Sequence, residues 1–156
     1  AYVDDLGLDS TRAALGNALN QRLGVLSFVG HSAPTTWSFD PVLSTADLVG
    51  RTGLADLVVQ WGCWNSYFVA PTANTLAHGF LLTPGSGAAA VIGVTSLTDL
   101  KSHEALGNLL HPELAAGARI GDALRLAKMQ LAAQGERYRD ILIAATLLGD
   151  PAQPVP

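Results

Sequence analysis

Three apolar runs punctuate this chain: Gly24-Val-Leu-Ser-Phe-Val-Gly30, Leu54-Ala-Asp-Leu-Val-Val-Gln-Trp-Gly62 and Ala88-Ala-Ala-Val-Ile-Gly-Val94. Each is short and apolar, the first two dominated by Val, Leu and aromatic residues, which predicts parallel strands buried on both faces. Between and after them the apolar positions take helical spacing. Ala14, Leu15, Ala18 and Leu19 predict a helix capped by Asp9 or Ser10 and running to about Leu23. Thr45 is expected to cap a short helix, Ala46 to Val49, and a further helix is expected from about Thr72 to Leu82, ending near Pro84-Gly-Ser-Gly87. Thr98 reads as the cap of a helix through about Leu110, and Ile120 to Gln134 as a clearer helix ended by Gly135. Ile141 to Leu148 is apolar almost throughout, so its period is ambiguous. Asp140 as a cap and Gly149-Asp-Pro151 as a stop favour helix there. The stretch from His31 to Ser44 reads as a Ser-, Pro- and Thr-rich loop, and Ala1 to Val3 as the end of a strand.

Strands alternating with helices predict an α/β fold with a mainly parallel sheet. No internal repeat or linker interrupts the pattern, so residues 1–156 read as one domain. Three clear strands make a small sheet, and the expectation is that N-terminal strands of a larger domain precede this stretch. One edge of the sheet would then be open, ready for the upstream part of the same domain or another chain.

Composition narrows the function classes. Of 156 residues, 49% are hydrophobic and 14% charged, which argues against disorder. A net charge of −4 with nine Lys and Arg offers no basic stripe for nucleic acid. Gly, Pro or Asp breaks every apolar run well short of a membrane span. The single cysteine, Cys63, excludes an intrachain disulfide and a multi-cysteine zinc site. The chain opens on Ala1 and its one methionine is Met129, so it reads as a processed or trimmed product from which targeting information has been removed.

The candidate chemistry lies at the strand ends. Cys63 follows Gly62 at the end of one run, and His31 follows Gly30 at the end of another. Residues just past the carboxyl ends of parallel strands line the ligand crevice of an open α/β sheet. Neighbouring strands would bring an imidazole and a thiol to one edge, as a cysteine nucleophile with its base requires. Either residue alone has a plain packing explanation; the matching placement is what raises both. Trp37 and Trp64 flank the pair, and for these two a substrate-subsite wall and a loop seal are equally good readings. Trp61 is expected in the core and Asp150 in a turn, while His103 and His111 carry little sign of metal binding. Asp4-Asp5 is expected to be a solvated turn. A nucleotide site is disfavoured, since Gly85-Ser-Gly87 lacks the lysine and spacing of a P-loop and precedes a strand.

The order of short motifs resembles the catalytic half of a gingipain-type cysteine peptidase, family C25 of the caspase-like clan. The residues that carry this are Phe28-Val-Gly-His-Ser32 with Trp37, Gly62-Cys63 with Phe68 and Pro71, Leu76-Ala77, Gly87-Ala-Ala-Ala-Val-Ile-Gly93 and Leu147-Leu-Gly-Asp-Pro-Ala152. The resemblance implies a caspase-like three-layer sandwich and peptide-bond hydrolysis through a thioester. It implies Cys63 as nucleophile, His31 as general acid/base, and an oxyanion hole from the backbone N–H groups of Cys63 and Ser32. It further implies a protein or peptide substrate, no cofactor, and an extracellular or cell-surface setting. Two departures stand out: Ser32 replaces the family's usual glycine, and His78 follows Leu76-Ala77 where an acid is common. The acid that orients the histidine in such enzymes lies upstream of it. These departures keep a second reading open, a non-catalytic caspase-like module for protein interaction.

Overall fold

The computed structural model describes residues 3–69 and 72–155. The expected strand at Ala1 and Tyr2, and Pro71 of the motif set, lie outside that range; Val3 opens a one-turn helix, α1 (Val3–Leu6). The three apolar runs form strands β1 (Val25–Val29), β5 (Leu57–Trp61) and β6 (Ala90–Val94). Their sheet has the order β1-β5-β6-β7, with β1, β5 and β6 parallel. The fourth strand, β7 (Ala145–Gly149), runs antiparallel against β6, pairing Ala90 with Gly149 and Val94 with Ala145.

That strand corrects the expectation of a helix from Ile141 to Leu148. The helix α6 covers Arg139–Ala144 and gives way to strand at Ala145. The run is apolar at both helical and strand periods, so local pattern did not decide. The free edge of β6 did, by offering backbone partners to Ala145–Gly149. The stretch after His31 is likewise more ordered than a loop. Strands β2 (Ser32–Ala33), β3 (Thr36–Trp37) and β4 (Leu43–Ser44) make a small antiparallel sheet.

Helix boundaries shift for local reasons. The first long helix, α2, spans Leu8–Ala18 after Gly7, with Asp9 inside its first turn rather than at the cap. It stops short of Leu23 because the Leu23 carbonyl already accepts the Asp56 N–H at the entrance to the sheet (2.8 Å). Ser44, not Thr45, caps the 3-10 turn Thr45–Leu48, in a reciprocal box with Asp47. Helix α3 is Leu76–Leu82, and α4 runs Leu100–Ala115 from an Asp99 cap whose carboxylate accepts the Ser102 N–H (3.0 Å). Helix α5 is Ile120–Ala132. No helix among the described residues is long and apolar enough to cross a membrane.

Two hydrophobic layers sandwich the sheet, following the two-residue alternation of the strands. Leu57, Val59 and Trp61 of β5, with Ala90, Ile92 and Val94 of β6, pack against α4, α5 and α6. On the other face Val58 and Val91 meet α2, α3 and the small sheet through Leu19, Trp37, Leu76 and Phe80. The result is a mixed α/β fold with a mainly parallel sheet between two covered faces. β5 is wholly buried, whereas β1, at the sheet edge, alternates between half-buried and exposed.

Candidate active site

The register of β1 and β5 decides where His31 and Cys63 stand. Val29 and Trp61 are the last aligned pair of the two parallel strands. The Gly30 N–H then donates to the Trp61 carbonyl (3.0 Å), and one residue farther along β1 comes His31. His31 and Cys63 each lie two positions past the aligned pair (29 + 2 and 61 + 2). Adjacent strands are about 4.8 Å apart, so both residues leave the sheet at the same place on its carboxyl edge.

Their side chains have different partners. The exposed His31 ring lies against Phe39, centroids 4.8 Å apart. The half-buried Cys63 thiol donates to the carbonyl of Thr98, in the loop between β6 and α4, at 3.5 Å. Among the described residues, no imidazole–thiol hydrogen bond joins the two, and no carboxylate forms an ion pair with His31. The structure therefore brings the two residues to one edge with the thiol turned to a third element.

Close packing holds the two strand ends together. A side chain at Gly62 would strike Ser32 Oγ and the Gly30 carbonyl, so only glycine lets the backbones approach this closely. Ser32 Oγ instead donates to the Cys63 carbonyl (2.6 Å). Ser32 has a strand conformation rather than a positive φ; among the described residues, the non-glycine ones with positive φ are Ser38 and Trp64. Serine thus fits this backbone without the strain that replacing a left-handed glycine would bring. Ser32 faces Trp37 across the small sheet, and the neighbouring ladder bond runs from the Ser38 N–H to the His31 carbonyl (2.7 Å). In that antiparallel pattern the Ser32 N–H points away from β3, free of the ladder.

The two tryptophans part company. Trp37 is 2% exposed, stacked on Phe28 at 4.5 Å and beside Phe80, with its indole N–H donated to Gln60 Oε1 (2.8 Å). It belongs to the core. Trp64 follows Cys63 with φ 64°, a half-buried ring set edge-on to Tyr67. Trp61 is core as expected, flanked by the rings of His103 and His111. Asp150 accepts the Ala152 N–H in the closing turn (2.8 Å). His78 is turned back into the α3 cap, its Nδ1 within 2.9 Å of the Thr75 hydroxyl.

Two residues around Cys63 carry no sequence signal that singles them out. Thr98, expected as a helix cap, yields that place to Asp99 and presents its carbonyl to the thiol and its hydroxyl to His103 Nε2. Burial lowers the pKa of His103, the Asp99 charge opposing it, so the ring favours the neutral form. Asn65 is wholly buried and fully hydrogen-bonded. Its Nδ2 donates to the Gly62 carbonyl (2.8 Å) and to Ser32 Oγ (3.1 Å), and its Oδ1 accepts the Val94 N–H (3.0 Å). The two-residue offset of a polar side chain from Cys63 was visible in the sequence, but not its burial.

The whole chain, residues 1–156, matches the family model described as Peptidase family C25, and the chain belongs to that family. No curated protein matches it in sequence. Among solved structures it resembles the Arg-specific cysteine proteinase gingipain R, with TM-score 0.71 and 15% identity over 92% of this chain and 36% of that one. It is equally similar in fold to the complex of Porphyromonas gingivalis RgpB pro- and mature domains, with TM-score 0.69 and 16% identity over 92% of this chain and 37% of the other. The chain thus spans little more than a third of the length of these structural relatives.

Proposed function

We propose that this member of peptidase family C25 carries the nucleophile and the general acid/base of a cysteine endopeptidase, Cys63 and His31. The observation that carries the reading is the shared register: both residues lie two positions past the Val29–Trp61 pair, on neighbouring parallel strands. In this reading the Cys63 thiol swings from the Thr98 carbonyl toward His31 and passes it a proton. The thiolate attacks the peptide carbonyl, and the backbone N–H groups of Cys63 and Ser32 receive the developing oxyanion. His31 then protonates the leaving amine, and a thioester remains on Cys63. Water, deprotonated by His31, hydrolyses that ester and restores the thiol. Trp64, next in sequence to Cys63 and only half-buried, offers an apolar wall to a substrate side chain. The family resemblance supports a protein or peptide substrate and action outside the cell.

One observation favours the alternative of a non-catalytic interaction module: the thiol and the imidazole each engage another group, Thr98 and Phe39. A single experiment separates the two. The natural full-length protein is incubated with a fluorogenic peptide library and with a peptidyl epoxide. Cleavage lost in Cys63→Ala, with epoxide labelling at Cys63 faster than that of free cysteine, supports the peptidase. Labelling no faster than free cysteine and no cleavage support the module.

A further inference from the structure

Asn65 is a polar side chain with no exposed surface, placed two residues after the proposed nucleophile. Such a residue is costly to bury unless every polar atom is paired, and here each is. The amide orientation follows from its partners, since Nδ2 meets the carbonyl of Gly62 and Oδ1 meets the N–H of Val94. Asn65 thereby ties the end of β5 to the end of β6 and, through Ser32 Oγ, to the first residue after His31. Its own carbonyl accepts the Ala77 N–H of α3 (3.2 Å), which anchors the loop from behind.

The bond to the Gly62 carbonyl has a consequence at Cys63. The Gly62 carbonyl and the Cys63 N–H belong to one planar trans peptide, so they point in opposite directions. Holding that carbonyl toward buried Asn65 turns the Cys63 N–H away from the protein interior. A second chain of bonds runs from Asn65 Nδ2 to Ser32 Oγ and from Ser32 Oγ to the Cys63 carbonyl. It fixes the next peptide plane as well, and sets the position of Ser32, the other proposed oxyanion donor. Glycine at position 93 completes the seat, because a side chain there would strike Asn65 Oδ1 and Ser66 Oγ.

We propose that Asn65 is the positioning residue of this site: through the Gly62–Cys63 peptide plane and the Ser32 hydroxyl it aims the two backbone N–H groups at the oxyanion. The proposal rests on the peptidase reading and assigns Asn65 no contact with substrate. Its effect is on the oxyanion, not on the nucleophilicity of the thiol, and that difference makes it testable.

Asn65→Asp keeps the size and the acceptor for Val94 but loses every bond that Nδ2 donates, to Gly62, Ser32 and, more weakly, Gln60. In the natural full-length protein, kcat for the best-cleaved library peptide is expected to fall about 10²-fold, the scale of a misplaced catalytic group, with KM within about twofold. The aldehyde counterpart of that peptide reports the same donors, because the oxygen of its tetrahedral adduct occupies the oxyanion's place. Cys63 Sγ bonds to its carbonyl carbon, and the thiol proton ends on the former carbonyl oxygen. Its inhibition constant should rise by a factor similar to the fall in kcat, while iodoacetamide alkylation of Cys63 stays within about twofold, since alkylation forms no oxyanion. Ser32→Ala cuts only the hydroxyl link and serves if the aspartate variant does not fold; it should show the same pattern at about tenfold. Equal losses in alkylation and aldehyde binding, or an unchanged kcat, overturn the role of Asn65 while the wild type still cleaves. A wild type without Cys63-dependent cleavage overturns the peptidase reading and this inference with it.

Discussion

β1 and β5 lie side by side and end in the two proposed catalytic residues, yet the fold treats them very differently. β5 is central, buried at every position, and its exit is held by Asn65, Ser32 and a glycine that nothing larger could replace. β1 is an edge strand whose Val25 and Val29 are exposed, and its exit residue His31 is open to solvent with one aromatic neighbour. The proposed nucleophile thus stands on a seat tied by hydrogen bonds and the proposed base on an open one. A thiolate gains from being fixed where the carbonyl carbon will come, whereas a base that takes a proton and later gives it to the leaving amine must serve two positions.

The largest effects should fall on chemistry. Cys63→Ala is expected to abolish library cleavage. His31→Ala is expected to lower it by about 10²–10⁴ while leaving a thiol that iodoacetamide still alkylates. If His31→Ala cleaves at wild-type rate, the two strand ends do not form one site. Next comes stability. Leu57→Ala on β5 is expected to cost about 2–5 kcal/mol in chemical denaturation, whereas Val29→Ala on β1 should stay within about 0.5 kcal/mol. A cost at Val29 as large as that at Leu57 would mean that β1 is covered in the natural protein, and the contrast between the strands would vanish. Amide hydrogen exchange should sharpen the same point: the β5 amides exchange with global unfolding, while the outward-facing β1 amides exchange well before it.

The smallest expected effect is a pH dependence behind Cys63. Burial holds His103 below the ordinary histidine value of 6.5, with Asp99 opposing. His111, on the same helix, is lowered by burial as well. As pH falls below about 6.5 the unfolded chain takes up protons that the folded one resists, so folding stability is complete above that value and declines below it. His103→Gln should flatten part of the decline in thermal midpoint between pH 7 and pH 5. An identical slope in wild type and variant would show that other groups account for it.

Much of the scaffold was legible in the chain itself. The three parallel strands fall where the apolar runs lie, because a strand buried on both faces demands consecutive apolar residues whatever surrounds it. Helix termini were less legible. Ser44 and Asp99 cap where Thr45 and Thr98 were expected, since neighbouring polar residues compete for one cap and the exit direction of the chain chooses between them. β7 was hidden for a different reason: Ile141–Leu148 satisfies either period, and the open edge of β6 decided the matter.

At the site, the sequence determined that a histidine and a cysteine each follow a glycine at the end of an apolar strand. Tertiary structure alone decided that the strands are neighbours and that their register aligns those ends. It also decided that Trp37 turns into the core while Trp64 stays half-buried beside Cys63. The same holds for most of the bonds around Cys63: those joining Ser32 to Cys63, Asn65 to Ser32 and Cys63 to Thr98 span 31 to 35 positions, and Asn65 reaches across to β6, while only its bond to Gly62 is local. Local periodicity reports which face of an element is apolar. It carries no record of which distant polar atom will arrive there, because that pairing is made only when the strands are laid side by side.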